Sequence, residues 1–226
     1  MFQGYTQETV DFMWGIRFNN EREWFLAHKE DYQKHLLEPT RALGEQVYEG
    51  LRGMLPHEPL LLKVSRIYRD ARRLHGRGPY KDHLWFCVRT GDKDWTGRPT
   101  FYFEIAPEYY SYGMGCYDPT PLTMAKLRAR IDRDPGTMEK LTRGLNRQTE
   151  FVLETEDYKK PRSQAPSELL APWYQAKSFS LCHEDKLTEE LFSRDIVDRL
   201  KTGFEFLLPY YDYFVTLDGD PDPRDA

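Results

Sequence analysis

Apolar side chains recur every three to four positions through the first quarter of the chain, then every second position, then every three to four again. These periods predict helices, then strands, then helices. Thr6 is placed to cap a helix reaching about Phe18, with Val10, Met13 and Trp14 on one side, and Asn19-Asn20 interrupts it. Asn20 with Glu23 three residues later fits a capping box at the start of a second helix. Trp24, Phe25, His28, Tyr32 and His35 continue that helix until Pro39 ends or bends it. Ala42, Leu43, Val47 and Leu51 predict another, stopping near Gly53.

LLKVSRIY, LWFCVRT, PTFYFEIA and YYSYGMGCY are short aromatic and β-branched runs bounded by Gly, Pro and Asp, and they read as strands. Phe101, Phe103 and Ile105 alternate with Tyr102 and Glu104, the period of a sheet with one buried face. Successive strands without intervening helices predict antiparallel pairing. Thr120-Pro121 and Asp134-Pro135 each place a capping residue before a first-turn proline, predicting helices over 121–132 and 135–147. FVLET and KSFSLCH are candidate strands around a loop, DYKKPRSQAP. Thr188 is placed to cap a long helix with Leu191, Ile196, Leu200, Phe204 and Leu207 inward and a kink at Pro209. The expected fold is α+β, a mainly antiparallel, aromatic-rich sheet flanked by N-terminal and C-terminal helices. No repeat or linker divides it, so residues 1–226 read as one domain, with 219–226 (GDPDPRDA) a disordered acidic tail.

Charge changes this picture at one place. The chain of 226 residues has 32 basic and 37 acidic side chains, a net charge of -5. Within it KVSRIYRDARRLHGRGPYKDH, from Lys63 to His83, has seven Lys or Arg against two Asp, +5 in all, so the remainder carries -10. Concentrated basicity on an acidic chain fits a small anionic ligand better than a protein coating nucleic acid over a wide face. Cys87, Cys116 and Cys182 are far apart and read as reduced core residues. The sequence MFQGYTQETVDFMWG lacks signal-peptide features and no apolar run approaches membrane-spanning length, so a cytoplasmic protein without a membrane partner is expected.

No HExxH or paired-cysteine spacing is present, and His28 and His35, two helical turns apart, are too distant to share an ion, so no metal is expected. GxSxG and GxGxxG are absent, and Gly113-Met114-Gly115 is not followed by Lys-Ser or Lys-Thr, so no nucleotide or other cofactor is expected. Cys116 beside those glycines reads as a small core residue. The chemistry therefore falls to the basic stretch. Arg69, Arg72, Arg77 and Lys81 are the candidate anion-binding residues, because guanidinium forks and ammonium groups match phosphate or carboxylate oxygens. Asp70 would orient an arginine, and Tyr80 would donate a hydrogen bond or stack on a ligand ring. Gly76 and Gly78 would let the loop backbone approach a ligand. Glu104 is the candidate acid or base if a small phosphorylated or acidic metabolite is transformed. Two alternatives stand beside this reading. One is a solvated loop of arginines paired with the acidic remainder. The other is an interaction module, binding protein or single-stranded nucleic acid with Tyr102, Tyr109, Tyr110 and Tyr112 as an exposed stacking platform.

Asn19-Asn20-Glu21-Arg22-Glu23-Trp24-Phe25 with Lys29, then Arg69-Asp70-Ala71-Arg72 and Pro79-Tyr80-Lys81, resemble the bacterial and fungal family called domain of unknown function 2461. The aromatic strand with Gly113 and Gly115, the Arg128 to Ile131 helix and Lys177-Ser178-Phe179 resemble it too, so the likeness spans nearly the whole chain. Where the family has Phe-Ser-x-Asp-Lys, this chain has Arg73-Leu74-His75-Gly76-Arg77, without the Asp and with Arg for Lys. The resemblance implies no activity. A defining motif of polar loop residues nevertheless favours a site over scaffold. The Asn pair reads as helix break and cap.

Overall fold

The computed structural model describes every residue except 71, 73, 75, 92–94, 161–163 and 226. Arg73 and His75, where the chain leaves the family pattern, and the middle of DYKKPRSQAP lie outside the described residues. α1 (Gln7–Phe18) opens with Thr9 Oγ1 accepting the Thr6 N–H at 3.1 Å and closes where Asn19 donates from both its backbone and its side chain to Gly15 O. α2 (Arg22–Ala27) and α3 (Lys29–Asp31) follow. The Asn20 capping box does not form: Glu21 is the N-cap of α2, because the Asn20 amide is engaged elsewhere in the fold.

Pro39 does not end the helical run. Residues Tyr32–Leu37 form a π-helical turn in which the Glu38 N–H reaches back five residues to Gln33 O, and α4 (Glu38–Met54) then carries Pro39 in its first turn. The wider turn shifts the hydrogen-bond register ahead of the one residue that has no N–H to give and whose ring would strike a carbonyl four residues back.

The strands are β1 (Leu60–Val64), β2 (Leu84–Thr90), β3 (Thr100–Ile105) and β4 (Tyr109–Cys116). α5 (Pro121–Arg133) and α6 (Pro135–Asn146) come next, then β5 (Val152–Asp157), α7 (Ala171–Gln175), β6 (Ala176–Lys186) and α8 (Asp195–Val215). The six strands form an antiparallel sheet in the order β1-β2-β3-β4-β6-β5, and the fold is α+β. Thr120 and Asp134 cap α5 and α6 as their sequences predict. Thr188 instead precedes a 3-10 turn, Glu189–Phe192, and α8 starts later, where Ser193 Oγ accepts the Asp195 N–H at 3.1 Å. Pro209 lies inside α8.

By contact density the chain falls into two compact units. The first comprises Met1–Val88, Tyr102–Tyr112 and Glu184–Thr202; the second comprises Arg89–Phe101, Gly113–His183 and Gly203–Ala226. In the first unit Phe103 stacks between Tyr5 and Phe86, and Gly44 of α4 lies against the Phe86 ring. Phe101, Phe103 and Ile105 are buried while Tyr102 and Glu104 are half-buried, as the alternation predicts. Tyr110 and Tyr112 are fully buried, so the expected exposed aromatic platform does not exist. In the second unit Phe179 packs on Trp173 and Phe214, and Phe101 on Phe204 and Tyr211. β5 pairs with β6 from Val152↔Cys182 to Asp157↔Ala176. Gly113 lets β4 lie close to β6, for a Cβ there would meet Leu181 O and come 2.9 Å from Cys182 Cα. At the expected acidic tail, Asp220 accepts from Arg130 Nε at 2.6 Å, a charge-assisted bond that ties it to α5.

Candidate functional site

The basic stretch folds into a hairpin. Tyr68 and Tyr80 form an antiparallel bridge, Arg69 N–H donates to Pro79 O at 2.8 Å, and Lys81 N–H donates to Ile67 O at 2.7 Å. Its tip turns where Arg77 N–H donates to Leu74 O and where Gly76 takes φ +80°, a left-handed conformation that glycine adopts without strain. The base is clamped by Asn20 from outside the hairpin and by Arg69 from within it. Asn20 Oδ1 accepts the Tyr80 N–H at 2.9 Å, Asn20 Nδ2 donates to Tyr80 O at 2.9 Å, and Arg69 Nε donates to the same carbonyl at 2.8 Å. An amide side chain thus supplies the donor and acceptor of a missing neighbouring strand. Gly78 serves this clamp rather than a ligand, since a Cβ there would lie 2.6 Å from Asn20 Cβ.

The hairpin sorts the predicted residues. Tyr80, expected to contact a ligand, is buried with its ring 4.3 Å from that of Phe25. Asp70 does orient an arginine, but at the surface: Arg72 makes a forked pair with it, at 2.7 and 3.1 Å, with 88% of the Arg72 side chain exposed. Arg77 is exposed as well. Arg69 and Lys81 turn inward, so the structure brings together two of the four expected cations.

What surrounds those two is a network that the sequence does not reveal. Asp82, 18% exposed, accepts from Arg17 Nε at 2.6 Å and from His83 Nδ1 at 3.1 Å, and lies 3.6 Å from Arg69 Nη2. The His83 contact and then the Arg17 guanidinium hold its carboxyl well below the usual range, against the opposing effect of burial. Arg17 also pairs with Glu108 and lies over the Trp14 ring at 4.7 Å. Glu104 accepts the Tyr109 hydroxyl at 2.8 Å, and burial first, then this carboxylate, push the Tyr109 phenol far up.

Lys81 is the exception to this pairing. Its Nζ lies 5.5 Å from the centre of the Trp85 ring, and among the described residues no carboxylate comes within ion-pair reach of it. Burial pulls its ammonium down to about 8; Glu104 opposes that shift, while Arg69 and Arg66 add to it. A half-buried amine in this state can hold an anion, accept a proton or attack an electrophile. Arg17, Trp85 and Glu108 escape sequence reasoning because each lies on a different segment, and Tyr109 reads there as part of a stacking platform and not as the partner of Glu104. No spacing links Arg17 to Asp82, 65 residues on.

Elsewhere, His28 and His35 line a cavity of about 310 Å³ with Glu8, Asp11, Asp31, Phe12 and Trp24. Among the described residues no three His, Cys, Asp or Glu side chains are arranged to hold a metal ion. All three cysteines are buried, and burial drives the Cys116 thiol far up, away from nucleophilic use. Among the described residues no helix is long and apolar enough to cross a membrane.

No curated protein matches the chain. The family described as conserved hypothetical protein (DUF2461) matches residues 8–213, which include the Asn20 clamp, the whole hairpin, Lys81 and Glu104. The chain therefore belongs to the DUF2461 family of conserved hypothetical proteins.

Proposed function

We infer that the protein binds a small anion carrying a carboxylate or phosphate group at the face formed by Lys81, Arg69 and Arg66. One observation carries the reading: Lys81 is a half-buried cation flanked by two guanidiniums, with no carboxylate in ion-pair reach among the described residues. Removing a charge from water without a partner is costly, and an entering anion supplies that partner. Asp82, the nearest acid in sequence, is already engaged by Arg17 and His83. If the bound metabolite is transformed, Glu104 is the group available as acid or base. The buried cysteine thiols fit a reducing, cytoplasmic setting.

Thermal unfolding with inorganic phosphate and with succinate tests this. Saturable stabilisation by at least one of them is expected, lost in Lys81→Met and kept in Arg72→Ala. Stabilisation by neither anion, or stabilisation unaffected by Lys81→Met, overturns the reading.

The exposure of Arg72 and Arg77 at the hairpin tip favours a second reading, an interaction module with a basic surface loop. That reading requires binding to an acidic protein or to single-stranded nucleic acid that weakens steeply with salt and disappears in the double variant Arg72→Ala, Arg77→Ala.

A further inference from the structure

We propose that Lys81 is an amine nucleophile for a small oxo acid, its Nζ condensing with the carbonyl carbon while Arg69 and Arg66 hold the carboxylate. This rests on the anion reading and narrows the anion to one bearing an aldehyde or ketone beside its acid group.

Three features distinguish Lys81 from an ordinary phosphate-binding lysine. It is half-buried over the Trp85 ring, which covers one side of Nζ with apolar surface. No carboxylate pairs with it among the described residues, so its lone pair is not tied up by keeping the amine permanently charged. The two guanidiniums that affect it have the opposite consequence: they disfavour its protonated form and favour a negative group on whatever enters. An ordinary lysine, with a pKa of about 10.4, keeps fewer than roughly one amine in a thousand unprotonated at pH 7, whereas a value near 8 leaves roughly a tenth. Burial beside other cations is how lysines become reactive toward carbonyl groups.

Glu104 supplies the proton traffic. Its carboxylate acts on Lys81 and is oriented by the Tyr109 hydroxyl at 2.8 Å. The ammonium gives one proton, by way of solvent, to Glu104, which lies outside ion-pair reach of it, and the nitrogen lone pair forms the new bond to the carbonyl carbon as the C=O π pair moves onto oxygen. A second proton passes from nitrogen to that oxygen, giving a neutral carbinolamine. Glu104 then returns its proton to the hydroxyl, which departs as water, and the nitrogen lone pair closes the C=N bond. The products are a protonated imine and one water, and Glu104 is a carboxylate again. No oxidant or metal enters the balance. A protonated imine withdraws electrons from the adjoining carbon, so for an acid that bears hydrogen there the reaction class it serves is loss of that proton.

The test uses the full chain with glyoxylate and cyanoborohydride at pH 7, with the modified lysines mapped by mass spectrometry. Lys81 is expected to acquire the reduced adduct faster than the other lysines by about tenfold or more, as its larger free-amine fraction requires. Its preference for glyoxylate over formaldehyde, which has no carboxylate, should fall in Arg66→Gln. Stabilisation by glyoxylate without preferential labelling of Lys81 overturns the nucleophile and leaves the anion reading standing. Absence of stabilisation by phosphate, succinate and glyoxylate alike overturns both. Equal labelling of Lys81 by formaldehyde and glyoxylate overturns the carboxylate-holding role of the arginines.

Discussion

Lys81 and Asp82 are adjacent in sequence and opposite in electrostatic circumstance, which gives each a distinct pH signature. The Lys81 amine has a folded-state value near 8, below its ordinary value. Between pH 8 and about 10.4 the unfolded chain therefore binds more protons at this position than the folded one, and stability from this residue rises with pH across that window. Below pH 8 both states are charged and the cost of burying the ammonium is fully present. Urea unfolding as a function of pH should show this rising alkaline limb, and Lys81→Met should flatten it. Asp82 has a slope of the same sign in the acid range. Its folded carboxyl lies below its ordinary value, so its contribution is complete above about pH 4 and is lost as pH falls further. Asp82→Asn leaves Arg17 and Arg69 facing a neutral amide and should cost about 2 kcal/mol at pH 7, measured by the same unfolding.

At the scale of elements, the hairpin is held by a side chain rather than by a neighbouring strand. Asn20→Ala removes both bonds to Tyr80 and leaves its N–H buried without that acceptor, a loss of about 1–3 kcal/mol. Gly78→Ala should cost a similar amount for a related reason, since the new Cβ collides with the Asn20 side chain. The two changes share one cause and should not add. In an Asn20→Gly background, which also removes the Cβ that the new methyl would strike, Gly78→Ala should lose most of its effect, a coupling of about 1 kcal/mol or more in a double-mutant cycle. Simple additivity would show that Gly78 is required for some other reason. The Asn pair also marks where sequence reasoning reached its limit. Asn20 ahead of Glu23 has the spacing of a capping box, yet its amide bonds a backbone 60 residues away, and a local pattern carries no record of a distant partner. Pro39 is similar: the sequence shows that proline disturbs a helix, but whether the chain breaks, bends or widens by a π turn depends on what packs against it.

Across the molecule, the antiparallel sheet depends on backbones lying closer together than side chains allow. Gly113→Ala should destabilise by about 3 kcal/mol or more and lower the midpoint of thermal unfolding, because the added methyl meets the β6 backbone, which cannot rotate aside as a side chain can. Mutation of Gly53, around which a Cβ would meet nothing within 4 Å, provides the comparison. The sequence by itself determined the α+β class, β2 as LWFCVRT, the alternation of β3, the caps at Thr120 and Asp134 and the family, because period, turn chemistry and motif order are local properties of the chain. It also showed the concentration of positive charge between Lys63 and His83. That Arg72 and Arg77 face solvent, that Tyr80, Tyr110 and Tyr112 are core, that Asn20 clamps the hairpin, and that among the described residues Lys81 has no carboxylate in ion-pair reach beside an engaged Asp82 follows from the tertiary structure alone. The physical reason is that charge pairing and burial depend on distance in space, and side chains from α1, the hairpin, β2, β3 and β4 become neighbours only when the sheet forms.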